Sequence, residues 1–126
     1  MRFLTIQDLE KIHTYQIKKF GADGGSERRG DGERLRKVVE SIQEFDKLAK
    51  TPAEKAMQYM IWFRSYEPYW DGNKRTGTMA ALVFLRLNGY TFIDDPHILA
   101  CWTDDFFSEL ITDEEFLDYY FSKHVK

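Results

Sequence analysis

Cysteine is nearly absent from this sequence. The single one, Cys101, can form no internal disulfide and leaves no cysteine cluster to hold a metal. With no basic neighbour to activate it, Cys101 is expected to be a small core residue. Long apolar runs are missing too, so no segment reaches membrane-spanning length. The opening Met1-Arg2-Phe3-Leu4-Thr5-Ile6-Gln7-Asp8 turns polar too early for a secretion leader. Positive charge is not in excess: 18 Lys and Arg against 21 Asp and Glu give a net charge of −3. That balance, with an isoelectric point near 5.6, argues against direct nucleic-acid binding, although a local basic patch stays open. There are no internal repeats and no low-complexity segment. The expectation is a cytoplasmic protein with no membrane anchor.

What is present is apolar and aromatic. Hydrophobic residues make up 43% and aromatic ones 16% of 126 residues, enough for a sizeable core in one domain covering residues 1–126. Thr5 and Asp8 resemble a capping pair ahead of a helix from about 6 to 19, with Leu9, Ile12, His13, Ile17 and Phe20 at helical spacing. His13 reads as a hydrogen-bonded packing residue, because no second histidine or cysteine stands at metal-ligand spacing. Gly21-Ala22-Asp23-Gly24-Gly25-Ser26-Glu27-Arg28-Arg29-Gly30-Asp31-Gly32 is too rich in glycine for a stable helix. It is either a connector or a flap lining a site, made locally cationic by Arg28 and Arg29. Both readings stand at this point.

A second helix is expected over about 33–50, apolar at Leu35, Val38, Val39, Ile42 and Phe45. Its charges, Arg34, Arg36, Lys37, Glu40 and Glu44, form a solvated face. Thr51-Pro52-Ala53-Glu54 has the pattern of a capping box with proline at the first helical position. The third helix buries Ala53, Ala56, Met57, Met60 and Ile61, and Pro68 stops it by Tyr66. Residues 76–87 are apolar nearly all round, which places a fourth helix in the middle of a bundle, ended by Asn88-Gly89. Residues 90–93 form a short extended run. Asp95-Pro96 and Thr112-Asp113-Glu114-Glu115 start two more helices. The fold class is all-α, a bundle of about six helices around a central buried one.

The chemistry concentrates between the third and fourth helices, in Glu67-Pro68-Tyr69-Trp70-Asp71-Gly72-Asn73-Lys74-Arg75-Thr76-Gly77. Helix starts expose unpaired N–H groups and the positive end of the dipole. Gly72 lets the backbone turn close to a ligand. Asn73 can hold the loop or donate to an oxygen. Lys74 offers a point charge and Arg75 a planar fork for phosphate oxygens. Asp71 could hold a magnesium ion that keeps most of its waters, and Glu67 could take a proton from an attacking hydroxyl. The glycine spacing of a Walker loop is missing. On chemistry alone a phosphate cradle and an ordinary helix start with solvated charges are equally open.

These residues carry a resemblance. Residues 67–76 are similar to the signature of the Fic/Doc (Fido) superfamily: His-Pro-Phe, a variable residue, Asp or Glu, Gly or Ala, then Asn-Gly-Arg or Asn-Lys-Arg. Lys at position 74 and Thr at 76 resemble the death-on-curing (Doc) branch. Leu4-Thr5-Ile6, Ile12-His13, Phe20-Gly21, the glycine-rich stretch, and Ala81-Leu82-Val83-Phe84-Leu85-Arg86-Leu87-Asn88-Gly89-Tyr90 follow the same layout. The resemblance implies that Asp71 holds Mg2+ and that Gly72, Asn73, Lys74, Arg75 and Thr76 bind the nucleotide, with Arg75 also serving catalysis. Members that transfer AMP have Gly where this chain has Lys74, and a second Arg where it has Thr78. Doc toxins are instead kinases of a translation elongation factor, held in check by an antitoxin. The resemblance therefore implies an ATP-dependent phosphotransferase, a protein substrate and an antitoxin partner. The inhibitory-helix motif of some Fic proteins (Ser or Thr, three residues, then Glu-Gly or Glu-Asn) is not evident in the sequence, so self-inhibition is not expected.

Two positions depart from the signature: Tyr69 for Phe is the milder, because both bury an aromatic ring beneath the loop, and the first position matters more. The catalytic histidine is Glu67 here, and glutamate is a weaker base than histidine near neutral pH. Its charge also opposes a triphosphate unless Lys74, Arg75 and magnesium offset it. Glu67 as an active base, and a degenerate relative that binds nucleotide or a partner without transfer, are the two expectations to weigh.

Overall fold

Four of the six helices of this protein start at a side-chain cap, and the other two start after a glycine. The computed structural model describes residues 1–20 and 27–126. Six α-helices follow in order: α1 Ile6–Phe20, α2 Glu33–Phe45, α3 Pro52–Tyr66, α4 Asn73–Leu87, α5 Pro96–Phe107 and α6 Asp113–Tyr119. Short 3-10 turns occupy Arg29–Gly32, Asp46–Leu48 and Phe121–His124. The described residues form no strand, only two isolated bridges, Arg28 with Tyr69 and Phe92 with Val125. The all-α expectation holds.

At α1, Thr5 and Asp8 cap reciprocally: the Thr5 N–H donates to Asp8 Oδ2 at 2.9 Å and the Asp8 N–H to Thr5 Oγ1 at 3.1 Å. The first of these bonds, with the Thr5 hydroxyl and nearby cations, holds the Asp8 carboxyl below the usual carboxylate range. Asp95 caps α5 by accepting the His97 N–H at 2.7 Å. Thr112 and Glu115 form a complete capping box at α6. At α3, Thr51 accepts the Glu54 N–H, but the Glu54 carboxylate reaches one residue further back, to the Lys50 N–H at 2.6 Å. The expected box is thus shifted by one position.

The core forms where α4 lies against α3. Ala80, Ala81, Phe84 and Leu85 on α4 and Ala56, Met57, Tyr59, Met60 and Phe63 on α3 are buried. Gly77 sets the approach, since a Cβ there would meet Phe63 Cβ at 2.9 Å. Leu9 of α1 and Leu35, Val38 and Ile42 of α2 close further sides. Phe106, Phe116, Tyr120 and Phe121 make an aromatic end layer, with Phe106 and Phe116 edge to face at 4.7 Å. Tyr59 accepts the Leu4 N–H at 2.9 Å, and burial pushes its phenol up to about 12. No helix among the described residues is long and apolar enough to cross a membrane.

Four expectations need correction. α2 stops at Phe45 and tightens into the Asp46–Leu48 turn, because Lys55 of α3 donates to the Asp46 carboxylate at 2.7 Å and to its carbonyl at 3.4 Å. Arg34 does not belong to a merely solvated face; it donates to the Tyr66 carbonyl at the end of α3. Phe20 overhangs the core and is exposed. Cys101 is exposed on the outer side of α5. The 90–93 run also has a partner: Ile93 N–H donates to the His124 carbonyl and Lys126 N–H to that of Thr91.

Candidate active site at the start of α4

The loop between α3 and α4 is held from below. At the end of α3, the Glu67 N–H donates to the Phe63 carbonyl at 3.0 Å, and Glu67 takes a left-handed φ of 44°. Glycine usually fills such a terminating position. Tyr69 is buried and stacks on His13, ring centroids 3.4 Å apart and 6° from parallel. Burial raises the Tyr69 phenol well above the usual tyrosine range. His13 Nε2 lies 3.0 Å from the Asp71 carbonyl. That oxygen only accepts, so Nε2 carries the proton and donates. His13 is therefore a packing histidine, as the sequence suggested, yet what it packs and fixes is the motif loop itself.

Asn73 completes the clamp. Its Oδ1 accepts the Tyr69 N–H at 3.1 Å and its Nδ2 donates to the Tyr69 carbonyl at 2.8 Å. Gly72 then turns with φ 81°, and a Cβ there would lie 3.1 Å from Ile17 Cδ1 and 3.4 Å from His13. The Asp71 carboxylate accepts the Gly72 N–H at 2.7 Å. The first ladder bond of α4 runs from the Thr76 N–H to the Gly72 carbonyl at 2.9 Å. The N–H groups of Asn73, Lys74 and Arg75 have no acceptor inside the helix, and no side chain caps α4.

These groups open into a cleft of about 620 Å³. Glu67, Asp71, Gly72, Asn73, Lys74 and Arg75 line it, so the chain brings together nearly all the residues singled out from sequence. Thr76 is the exception: it is fully buried, its hydroxyl has no hydrogen-bond partner, and it does not line the cleft. Asn73 borders the cleft, but its amide is committed to Tyr69. Asp71 is exposed, and no cluster of three acidic, histidine or cysteine residues able to hold a metal occurs among the described residues. A hard cation would fit here only by taking its other ligands from phosphate oxygens and water, which is how magnesium usually binds.

Four cations border or approach the cleft, and three of them face a carboxylate. Lys74 Nζ bonds Asp104 of α5. Arg64 bonds Asp113 at 2.8 Å and approaches Glu109 at 3.8 Å. Arg29 pairs with Glu67 at 3.2 Å. Arg75 instead lies over the Phe20 ring, 4.6 Å from its centroid, and makes no ion pair among the described residues. Exposed pairs of the Lys74–Asp104 kind contribute little, about 0–1 kcal/mol, so an incoming anion can displace them.

Arg64, Phe20, Trp70, Phe107 and Asp104 were not singled out from sequence. Arg64 sits one helical turn before Glu67 on α3, a usable signal. Asp104 is thirty residues from its partner, and nothing local points to it. Of the glycine-rich stretch, residues 21–26 lie outside the described residues. The rest borders the site: Arg29 N–H donates to the Pro68 carbonyl at 2.8 Å, and Trp70 N–H to that of Glu27 at 3.4 Å. Arg28 pairs with Glu10 of α1 at 3.0 Å.

Comparison with known proteins agrees with this geometry. Residues 3–85 match the Fic/DOC family, a span that runs from the N-terminal segment through the loop and most of α4. The chain is similar to the "Protein kinase doc" of Escherichia phage P1, at 26% identity over 98 residues, covering 78% of this chain and 77% of that protein. A helical bundle with this loop at the start of its buried helix, matched over more than half its length, belongs to the Fic/Doc family.

Proposed function

We propose that this protein is a Doc-like toxin that transfers phosphate from ATP to a hydroxyl of a target protein, a translation elongation factor by resemblance, under the control of an antitoxin. The observation that carries this reading is the open start of α4. Three N–H groups without an intrahelical acceptor and Arg75, which has no ion pair among the described residues, face one cleft. Helix dipole and guanidinium together favour a polyanion there. Asp71 would hold Mg2+, which supplies charge neutralisation on the phosphates when bound.

In this reading the phosphates lie along the first turn of α4, with Lys74 released from Asp104 onto a phosphate oxygen. The attacking hydroxyl oxygen forms a bond to the terminal phosphorus as the bond to the bridging oxygen breaks. ADP leaves, and the hydroxyl proton passes to the Glu67 carboxylate. Arg75 stabilises charge spread over the transferring group. AMP transfer is disfavoured. Lys74 stands where AMP-transferring members have glycine, and Thr78 brings a buried hydroxyl with no hydrogen-bond partner where they have a second arginine.

The Arg29–Glu67 ion pair favours a second reading, in which the cleft binds nucleotide without transfer. There Glu67 Oε2 is already engaged by a guanidinium rather than left open to a hydroxyl. The two separate by incubating native protein, Glu67→His and Glu67→Ala with ATP, magnesium and purified elongation factor, and reading the factor's intact mass. Added phosphate with native protein and its loss in Glu67→Ala is the expected result. Transfer by Glu67→His alone establishes the second reading, and added AMP overturns the reaction assignment.

A further inference from the structure

The chain has three tryptophans, and two of them have an aromatic ring of the protein on a face. Trp62 stacks with Phe45 at 5.3 Å and with Tyr66 at 5.6 Å. Trp102 stacks with Tyr120 at 4.8 Å and 8°. Trp70 has no ring partner among the described residues. It is 64% exposed, it lines the α4 cleft, and the Arg29 guanidinium lies over it, 4.9 Å from the ring centroid. Leaving the largest apolar side chain in water on a mobile rotamer would be unfavourable. Here the ring stands on a fixed backbone. Its N–H donates to Glu27, and the residue before it is clamped by Asn73 and stacked on His13.

From this we infer that the exposed face of Trp70 is a stacking subsite for the purine base of a nucleotide whose phosphates occupy the start of α4, an inference that rests on the phosphate site proposed above. Trp70 precedes Asn73 by three residues, so the platform and the helix start lie within about 11 Å along the chain. A nucleoside triphosphate separates base and phosphates over a comparable distance. Arg29 behind the ring makes a guanidinium–indole–base stack. Arg29 itself is held by Glu67, and its backbone by Pro68, so the platform is assembled before the ligand arrives. Two polar side chains beside the ring are already committed, Arg29 to Glu67 and Asn73 to Tyr69. The subsite therefore reads the flat face of the base, and stacking of that kind tolerates different bases. Adenine and guanine nucleotides bind alike.

The test is calorimetric titration of the full chain with ATP, GTP, tripolyphosphate and adenosine, on native protein, Trp70→Leu, Trp70→Phe and Arg75→Ala. An exposed ring can be replaced without unfolding, and an unchanged thermal midpoint checks this. Trp70→Leu is expected to weaken ATP and GTP equally, by about 5- to 100-fold, and to leave tripolyphosphate unchanged, with Trp70→Phe retaining most of the affinity. An equal loss for tripolyphosphate, unchanged ATP affinity in Trp70→Leu, or strong preference for one purine overturns the subsite. If Arg75→Ala loses ATP while Trp70→Leu does not, the phosphate site stands and the stacking fails. If native protein ignores tripolyphosphate but adenosine quenches the fluorescence that Trp70→Leu removes, the stacking stands and the phosphate site fails. If no ligand binds at all, both fall.

Discussion

The starts of α6 and α4 are opposites. α6 has only seven residues, yet Thr112 and Glu115 satisfy its end reciprocally, and Asp113, Glu114 and Glu115 crowd its first turn. Acidic side chains there complement the dipole. α4 is twice as long and begins beside Asp71 and Asn73, two residue types well suited to capping. Neither caps it: Asp71 turns to the Gly72 N–H and Asn73 to the backbone of Tyr69. Its first turn holds no acid and two cations. A short peripheral helix needs its end satisfied to persist at all. A long helix with one face buried in the core can leave its end open, and the opening is then available to an anion.

Removing the cation at the open end should have the largest effect. Arg75→Ala is expected to lose about 1.5–3 kcal/mol of ATP binding, 10- to 100-fold, with little change in thermal midpoint, since Arg75 is exposed and makes no ion pair among the described residues. Unchanged calorimetric affinity would remove the anion site and with it the contrast between the two helix starts. Gly72→Ala attacks the turn that creates the opening. At φ 81° and with Ile17 Cδ1 only 3.1 Å from the new Cβ, it should cost about 1–3 kcal/mol in urea unfolding. A neutral result would mean that the turn tolerates side chains.

Thr112→Ala tests the closed end. It should cost about 1 kcal/mol of stability and leave ATP affinity at the native value; a matching loss of affinity would show the two starts to be coupled. The smallest effect concerns Asp8, the charged cap of α1. Its carboxyl is depressed in the folded state, so its stabilising contribution is present above the ordinary carboxylate range and fades as pH falls through the depressed value. Asp8→Asn should flatten the acid limb of a stability–pH curve measured by urea unfolding. An identical acid limb in both proteins would assign the dependence to other groups.

Local chemistry made much of this legible in advance. Thr5, Thr51, Asp95 and Thr112 each marked a helix start correctly, because a cap depends on three or four neighbouring residues. The motif loop was legible for the same reason, and six of the residues singled out in it, Glu67 and Asp71 to Arg75, reach the cleft as a group. What was not legible depended on where helices cross. A hydrophobic stripe cannot reveal that α1 overruns the core, so Phe20 read as buried. Cys101 looked like core because small sulfur side chains usually are, and only the orientation of α5 shows otherwise. Asp104 meets the loop through tertiary packing alone. Thr76 belongs to the motif but points inward, a distinction that spacing cannot make.

The outward position of Cys101 has a practical consequence. The chain contains no other thiol, and this one faces solvent on the same helix as Asp104, three residues away and so a neighbour on the helix surface. A nitroxide or fluorophore attached there requires no cysteine to be removed first. It would sit one turn from the carboxylate that holds Lys74, and its mobility or emission would report when an arriving ligand draws the lysine away from α5.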